Sequence, residues 1–282
     1  MTMADLPTIF PLIDKERWDW KINEVERVLE ADTEDLSIVA LLGDQIAGLM
    51  TVVRSQDFAF WTHVIVKEEY RNHGIGMTMM QHVFEELDEK RVNTIELIAA
   101  SGAVPLYEKL GFIRTEEIVC YLGESAPYSH SFDKQSLDGF QLIDLAELET
   151  KGQLETLSEK TGVDLNRILG KLIVENTAPV IGYFEENQLS GVMFTTVAEK
   201  NVELGPWLID RPTPDVVRQM LYFAKDHFKN KNIDICVSDQ NEMICNLIES
   251  EEFFKEISLV RMVKSNESIK AYPDRLIAVG KF

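Results

Sequence analysis

The chain has 282 residues, with 28 basic against 48 acidic side chains and a formal charge of −20. That balance argues against nucleic acid and against an anionic membrane as partners, because both repel a net anion. At 45% hydrophobic and 27% charged residues, the composition suits one large or two ordinary soluble cores. The opening Met-Thr-Met-Ala-Asp has no basic stretch leading into an apolar one, and no apolar run approaches a membrane span. Cys120, Cys236 and Cys245 are odd in number and lack metal-ligand spacing. They read as thiols, Cys236 and Cys245 buried, in a reducing, cytoplasmic setting. The five histidines are scattered, so no metal site is expected.

Taken in order, Thr8 to Ile13 reads as a first strand. Asp14 is placed to cap a helix carrying Trp18, Ile22, Val25 and Leu29. Leu36–Leu42 and Ile46–Val53 flank Gly43-Asp44-Gln45 as a hairpin. Phe58–Val66 is dense in β-branched and aromatic residues and reads as a buried strand. A charged turn with Gly74 and Gly76 follows, then Met79, Met80, Val83, Phe84 and Leu87 at helical spacing. Val92–Ala100 is a further strand. Ala103–Leu110 is a short helix closed by Gly111, and Phe112 begins a strand running to about Leu122.

Strand, glycine loop and helix together can hold a phosphate. Glycines allow close backbone approach, and the first N–H groups of the helix face the anion along a favourable dipole. No Gly-Lys-Ser/Thr follows, so the loop is not a P-loop. It also lacks the third glycine and the downstream acidic residue of a dinucleotide fingerprint.

The string Arg71-Asn72-His73-Gly74-Ile75-Gly76, after a Val-rich strand, resembles the Arg/Gln-x-x-Gly-x-Gly/Ala pyrophosphate loop of the GNAT superfamily of acyl-CoA-dependent N-acyltransferases. The unaltered Leu106-Tyr107-Glu108-Lys109-Leu110-Gly111-Phe112 is similar to a second motif of that family. The resemblance implies an α/β fold, a mixed and mostly antiparallel sheet flanked by helices. It implies acetyl-CoA as co-substrate, with a small-molecule or peptide amine as acceptor and a homodimer left open.

Glu124 to Leu137 has Ala126-Pro127, several serines and no periodicity, and reads as a linker. Beyond it the chain repeats itself. Ile46-Ala47-Gly48-Leu49-Met50 answers Leu189-Ser190-Gly191-Val192-Met193, 143 positions on. Leu106 to Phe112 answers Leu247 to Phe253, 141 positions on. In place of the glycine loop the second half has Asp210-Arg211-Pro212-Thr213-Pro214-Asp215, whose prolines remove N–H donors. The expected division is 1–124 as the catalytic domain, 125–137 as linker and 138–282 as a degenerate GNAT-like domain. The pattern over nearly the whole chain resembles tandem GNAT proteins whose C-terminal half is degenerate.

The resemblance also assigns the site. Backbone N–H groups of Asn72, His73, Gly74, Ile75, Gly76 and Met77 hold the pyrophosphate, with Arg71 supporting the loop. The pantetheine arm lies along Val64, Ile65 and Val66, and the N–H of Val64 and Val66 polarises the thioester carbonyl. Tyr107 protonates the departing thiolate. Ala100 stands where the family often has an asparagine, and Ser101 is its substitute. The base is His63, although strand alternation sets it on the face opposite Val64 and Val66. A non-catalytic module sensing acyl-CoA or an amine is the alternative to an enzyme.

Overall fold

The computed structural model describes residues 1–16, 20, 22–32, 34–124, 139–145, 152–163, 178–269 and 271–279. Helices α1 (Leu6–Lys15) and α2 (Ile22–Ala31) precede strands β1 (Ile38–Leu42), β2 (Gln45–Ser55) and β3 (Phe58–Val66). Helix α3 (Ile75–Glu89), β4 (Thr94–Ala100), α4 (Val104–Lys109) and β5 (Ile113–Glu124) follow. The second half contains β6 (Phe140–Ile143), α5 (Gln153–Thr161), β7 (Val180–Glu185), β8 (Gln188–Val197) and β9 (Asn201–Ile209). It continues through α6 (Pro214–His227), β10 (Asn232–Ser238), α7 (Glu242–Ser250), β11 (Phe254–Ser265) and β12 (Leu276–Ala278). No helix among the described residues is long and apolar enough to cross a membrane.

Thr8–Ile13 is helical, not a strand. Leu6, Ile9 and Ile13 are buried at helical spacing, and Pro7 sits in the first turn, where its missing N–H costs nothing. A six-residue apolar run is too short for its period to separate the two states. Asp14 therefore lies inside α1 rather than capping the next helix. Trp18 and the expected linker at 125–137 lie outside the described residues.

Among the described residues twelve strands form one sheet, in the order β1-β2-β3-β4-β11-β5-β10-β9-β8-β7-β6, with β12 on β9. Its centre is an exchange of strands between the halves. β11, from the second half, lies antiparallel between β4 and β5 of the first. β5 in turn lies antiparallel between β11 and β10. Each half thus completes its sheet with the other's last long strand.

The repeat seen in the sequence carries into the register. β2 begins at Gln45 and β8 at Gln188, while β3 ends at Val66 and β9 at Ile209. Lys67 N–H donates to Ala47 O at 2.9 Å, and 143 positions later Asp210 N–H donates to Ser190 O at 2.8 Å. On one face, α3 covers Ala59, Trp61, Leu97, Val260 and Met262. In the second half, a core containing Trp207, Met220, Leu221, Ile244 and Ile248 takes the equivalent place. The opposite face packs Leu49 and Ile65 with Ile9, Ile13 and Val25 of the first two helices.

The exchanged strands carry a buried ionic cluster. Arg261 on β11 donates to Glu96 on β4 at 2.7 Å and to Glu116 on β5 at 2.8 Å. The hydroxyl of Tyr272 donates to Glu96, and that of Ser238 to Glu116. The Arg261 guanidinium also stacks on the Tyr272 ring, 3.8 Å from its centroid. Burial works against the Arg261 charge, but the adjoining carboxylates outweigh it and keep the group protonated.

Cys120 and Cys236 face each other across β5 and β10 and are joined by a disulfide. This corrects the expectation of a free thiol at Cys236 and removes the basis for inferring a reducing compartment. The partners are 116 positions apart, so only the register of exchanged strands brings them together. Cys245 is a half-buried free thiol.

Replacing Arg261 by Met leaves two buried carboxylates without their cation. Urea unfolding at pH 7 should show a loss of about 3–5 kcal/mol. A loss below about 1 kcal/mol at pH 7 contradicts a buried, charge-paired cluster.

Candidate active site

β3 and β4 run parallel and pair from Phe58↔Thr94 to Trp61↔Leu97, and there the pairing stops. β3 continues to Val66 and β4 to Ala100, leaving a wedge between them. Its cause lies in β3. Thr51 pairs with His63 and Val52 with Trp61, so Thr62 is an extra residue that bends the strand. Lys67 N–H faces β2. By alternation, Ile65 and His63 also face β2, whereas Val64 and Val66 turn their backbone groups into the wedge.

The glycine loop sits at the wide end of the wedge. Asn72 has φ of 64° and Gly74 has φ of 81°, a left-handed turn that aims the chain into α3. Gly74 is the N-cap of α3 and supplies no side-chain cap. The N–H groups of the first turn are therefore presented to whatever anion sits there. Arg71 donates from Nε to Val66 O at 2.9 Å and from its terminal nitrogen to Glu16 at 2.8 Å. It braces the loop against the strand end and α1, so the backbone remains the principal anion contact. The His73 ring lies 2.8 Å from Arg71 O. Ser101 opens the exposed turn that follows β4.

In the second half, Thr213 accepts from Val216 N–H and Pro214 occupies the first turn of α6. That helix start is already capped.

Tyr107 lies on α4, 9% exposed, its ring edge-to-face with Phe112 at 5.8 Å. Its hydroxyl makes no hydrogen bond with the described residues. Burial pushes the phenol up to about 12, so it is fully protonated at neutral pH. Raised this far, it is also a weaker acid than a thiol at about 8.5. A hydrogen bond to sulfur fits it better than a completed proton gift made before the carbon–sulfur bond gives way.

His63 is buried on the face opposite Val64 and Val66, as alternation requires. Its Nδ1 lies 2.7 Å from Thr51 Oγ1 and 3.1 Å from Thr62 Oγ1, and its ring meets Trp20 edge-on at 4.3 Å. Burial lowers its pKa to about 3. An imidazole this weakly basic is a poor acceptor for the proton of an ammonium group near 10.4. Sequence spacing offered the residue but could not show its burial.

The parallel strands thus part beside an uncapped, glycine-led helix start, whose first N–H groups suit an anion. Residues 14–123 match the family described as an acetyltransferase (GNAT) domain, so the chain carries an acetyltransferase domain of that type. That family transfers acetyl groups from acetyl-CoA. The chain matches no curated protein by sequence.

Among solved structures, the chain is similar to a candidate acetyltransferase from Pyrococcus horikoshii. They share 20% identity with a TM-score of 0.76, over 99% of this chain and 92% of that one. A GCN5-related N-acetyltransferase from Sphaerobacter thermophilus shares 14% identity with a TM-score of 0.62, over 96% of each chain. A tandem GNAT protein of the clavulanic acid biosynthesis pathway shares 11% identity with a TM-score of 0.61, over 89% of this chain and 90% of that one. At these identities the likeness is one of fold.

The depressed His63 pKa sets a pH dependence. The unfolded chain protonates near 6.5 and the folded one near 3. The unfolded state therefore holds more protons in this window, and stability falls as pH falls through it. Between pH 7 and 5 the His63 contribution should drop by about 2 kcal/mol. Denaturant unfolding of wild type and His63→Gln at both pH values measures it. Equal pH slopes in the two proteins contradict the buried neutral imidazole.

Proposed function

We propose that the chain moves an acetyl group from acetyl-CoA directly to a primary amine of a small molecule or peptide. The observation that carries this reading is the wedge lined by Val64 and Val66, open beside the uncapped start of α3. The donor's pyrophosphate lies on the N–H groups from Asn72 to Met77, its arm along Val64–Val66, and Ser101 flanks the arm beyond β4. One strand of backbone hydrogen bonds fixes the thioester, and an N–H of Val64 or Val66 polarises its carbonyl.

The amine loses its ammonium proton to water, because His63 is too weakly basic to take it. The nitrogen then forms the new carbon–nitrogen bond as the carbon–sulfur bond breaks. Tyr107 donates a hydrogen bond to the departing sulfur, and the proton the nitrogen sheds passes through water to the thiolate. Protons balance, and amide plus thiol leave. Net charge favours a cationic acceptor through long-range attraction. In this reading residues 1–124 catalyse and 138–282 wall the acceptor side. A silent acyl-CoA sensor is the second reading. The intact Tyr107 motif favours the enzyme.

Calorimetry with CoA should give one site per chain, and Gly76→Val should weaken it at least about tenfold by setting a side chain where the pyrophosphate lies. Two sites per chain would falsify the assignment to one half.

Tyr107→Phe keeps the ring and removes the hydroxyl. Turnover with acetyl-CoA and a reactive amine should fall by roughly 10²–10⁴ while CoA affinity and melting temperature hold. Undiminished turnover, or a lowered melting temperature with normal turnover, makes Tyr107 a packing residue instead.

A further inference from the structure

The second half repeats the wedge. β9 and β10 pair in parallel only from Asn201↔Asn232 to Glu203↔Asp234, after which β9 runs on to Ile209 and β10 to Ser238. A register irregularity again marks the parting, here where Gly205-Pro206 stands opposite Phe194. Asp210 N–H faces β8, so Ile209 and Trp207 turn into the second wedge, as Val66 and Val64, 143 positions earlier, turn into the first.

This second wedge is filled by the chain itself. β12 pairs antiparallel to β9, with Leu276 opposite Leu208 and Ala278 opposite Trp207. Ile209 N–H donates to Arg275 O at 3.0 Å. On the other side, Val279 N–H donates to Cys236 O of β10 at 2.8 Å. The segment thus bonds to both walls. It is also buried on both faces: Leu276 and Val279 join one core, Ile277 and Ala278 the other. Its entry is tied down as well. Asn241 donates to Asp274 O at 3.1 Å, and Tyr272 N–H donates to Glu116 at 3.1 Å.

We infer that the second half keeps a binding site for an extended strand, and that its resident ligand is the chain's own segment 275–279. The segment takes the backbone positions in the second wedge that the arm of acyl-CoA takes in the first. The chemistry of recognition is the same on both sides: a β-strand's worth of N–H and C=O groups offered by one wall. The difference lies in the ligand. A tethered peptide with buried Leu, Ile and Val side chains has an effective concentration that no free acyl-CoA matches. Closure of the second half to the cofactor is therefore a consequence of occupation as well as of the prolines in its loop. The inference rests on the acyl-CoA reading only for the comparison with the first wedge.

Hydrogen exchange on the full-length chain, resolved to single amides with and without CoA, tests it. Without CoA, the Ile209 amide should exchange at least about a hundredfold more slowly than that of Val66, since one is bonded in a buried strand and the other faces an open wedge. CoA should slow Val64 and Val66 and leave Ile209 unchanged. Ile277→Asp places a carboxylate in a fully buried position and should unseat the strand. Ile209 should then exchange rapidly, while CoA still protects Val66. Equal exchange of Ile209 and Val66 in the free wild-type protein overturns the inference, as does protection of Ile209 by CoA. If Ile209 is protected but CoA slows neither Val64 nor Val66, the acyl-CoA reading fails and the resident strand stands. The wild-type comparison decides the matter even if Ile277→Asp does not fold.

Discussion

Parallel strands that part company create the chemistry of this protein. A β-ladder hides backbone N–H groups by pairing them, and a buried unpaired group costs free energy comparable to a lost hydrogen bond. One extra residue at Thr62 bends β3 away from β4, so the N–H groups of Val64 and Val66 face a gap. They must be met by water, by a ligand or by more chain. In the first half no described strand fills the gap, which lies beside the uncapped start of α3. The second half meets the same need with residues 275–279. Filling of the gap by the chain itself thus distinguishes the second half from the first.

The exchange of β5 and β11 explains why the halves act as one body. Neither half's central ladder is complete without a strand from the other. The cluster of Arg261, Glu96 and Glu116 sits across that exchange, one position before the last β3–β4 pair at Trp61 and Leu97. A buried ion pair adds little stability over apolar packing, but it penalises any register that separates its members. Here it fixes which strand of the second half lies beside β4. The Tyr272 hydroxyl then links the same cluster to the segment that fills the second wedge, so the tail is tied to both halves.

Burial sets the roles of the titratable groups. Tyr107 and His63 have moved away from neutrality in opposite directions, the phenol to about 12 and the imidazole to about 3. Both are thereby locked in their neutral forms at pH 7. Groups held neutral act through hydrogen bonds rather than through charge. This suits a reaction whose substrates and products differ by no net proton once the amine is neutral.

Local pattern alone located much of this. The β-branched run to Val66, the Arg71–Gly76 loop, the apolar spacing from Met79 to Leu87 and the Leu106–Phe112 motif were all legible, because helix period, strand character and glycine turns act within a few residues of chain. The two offsets revealed the repeat, since duplicated strands keep their spacing. Thr8–Ile13 misled, because a run of six apolar residues fits either period, and burial against Leu49 and Ile65 made the choice. Three things were decided only by the tertiary structure: the Cys120–Cys236 bond, the Arg261 cluster and the filling of the second wedge. Each joins residues far apart in the chain, and such pairings depend on strand order and register, which no local window of sequence contains.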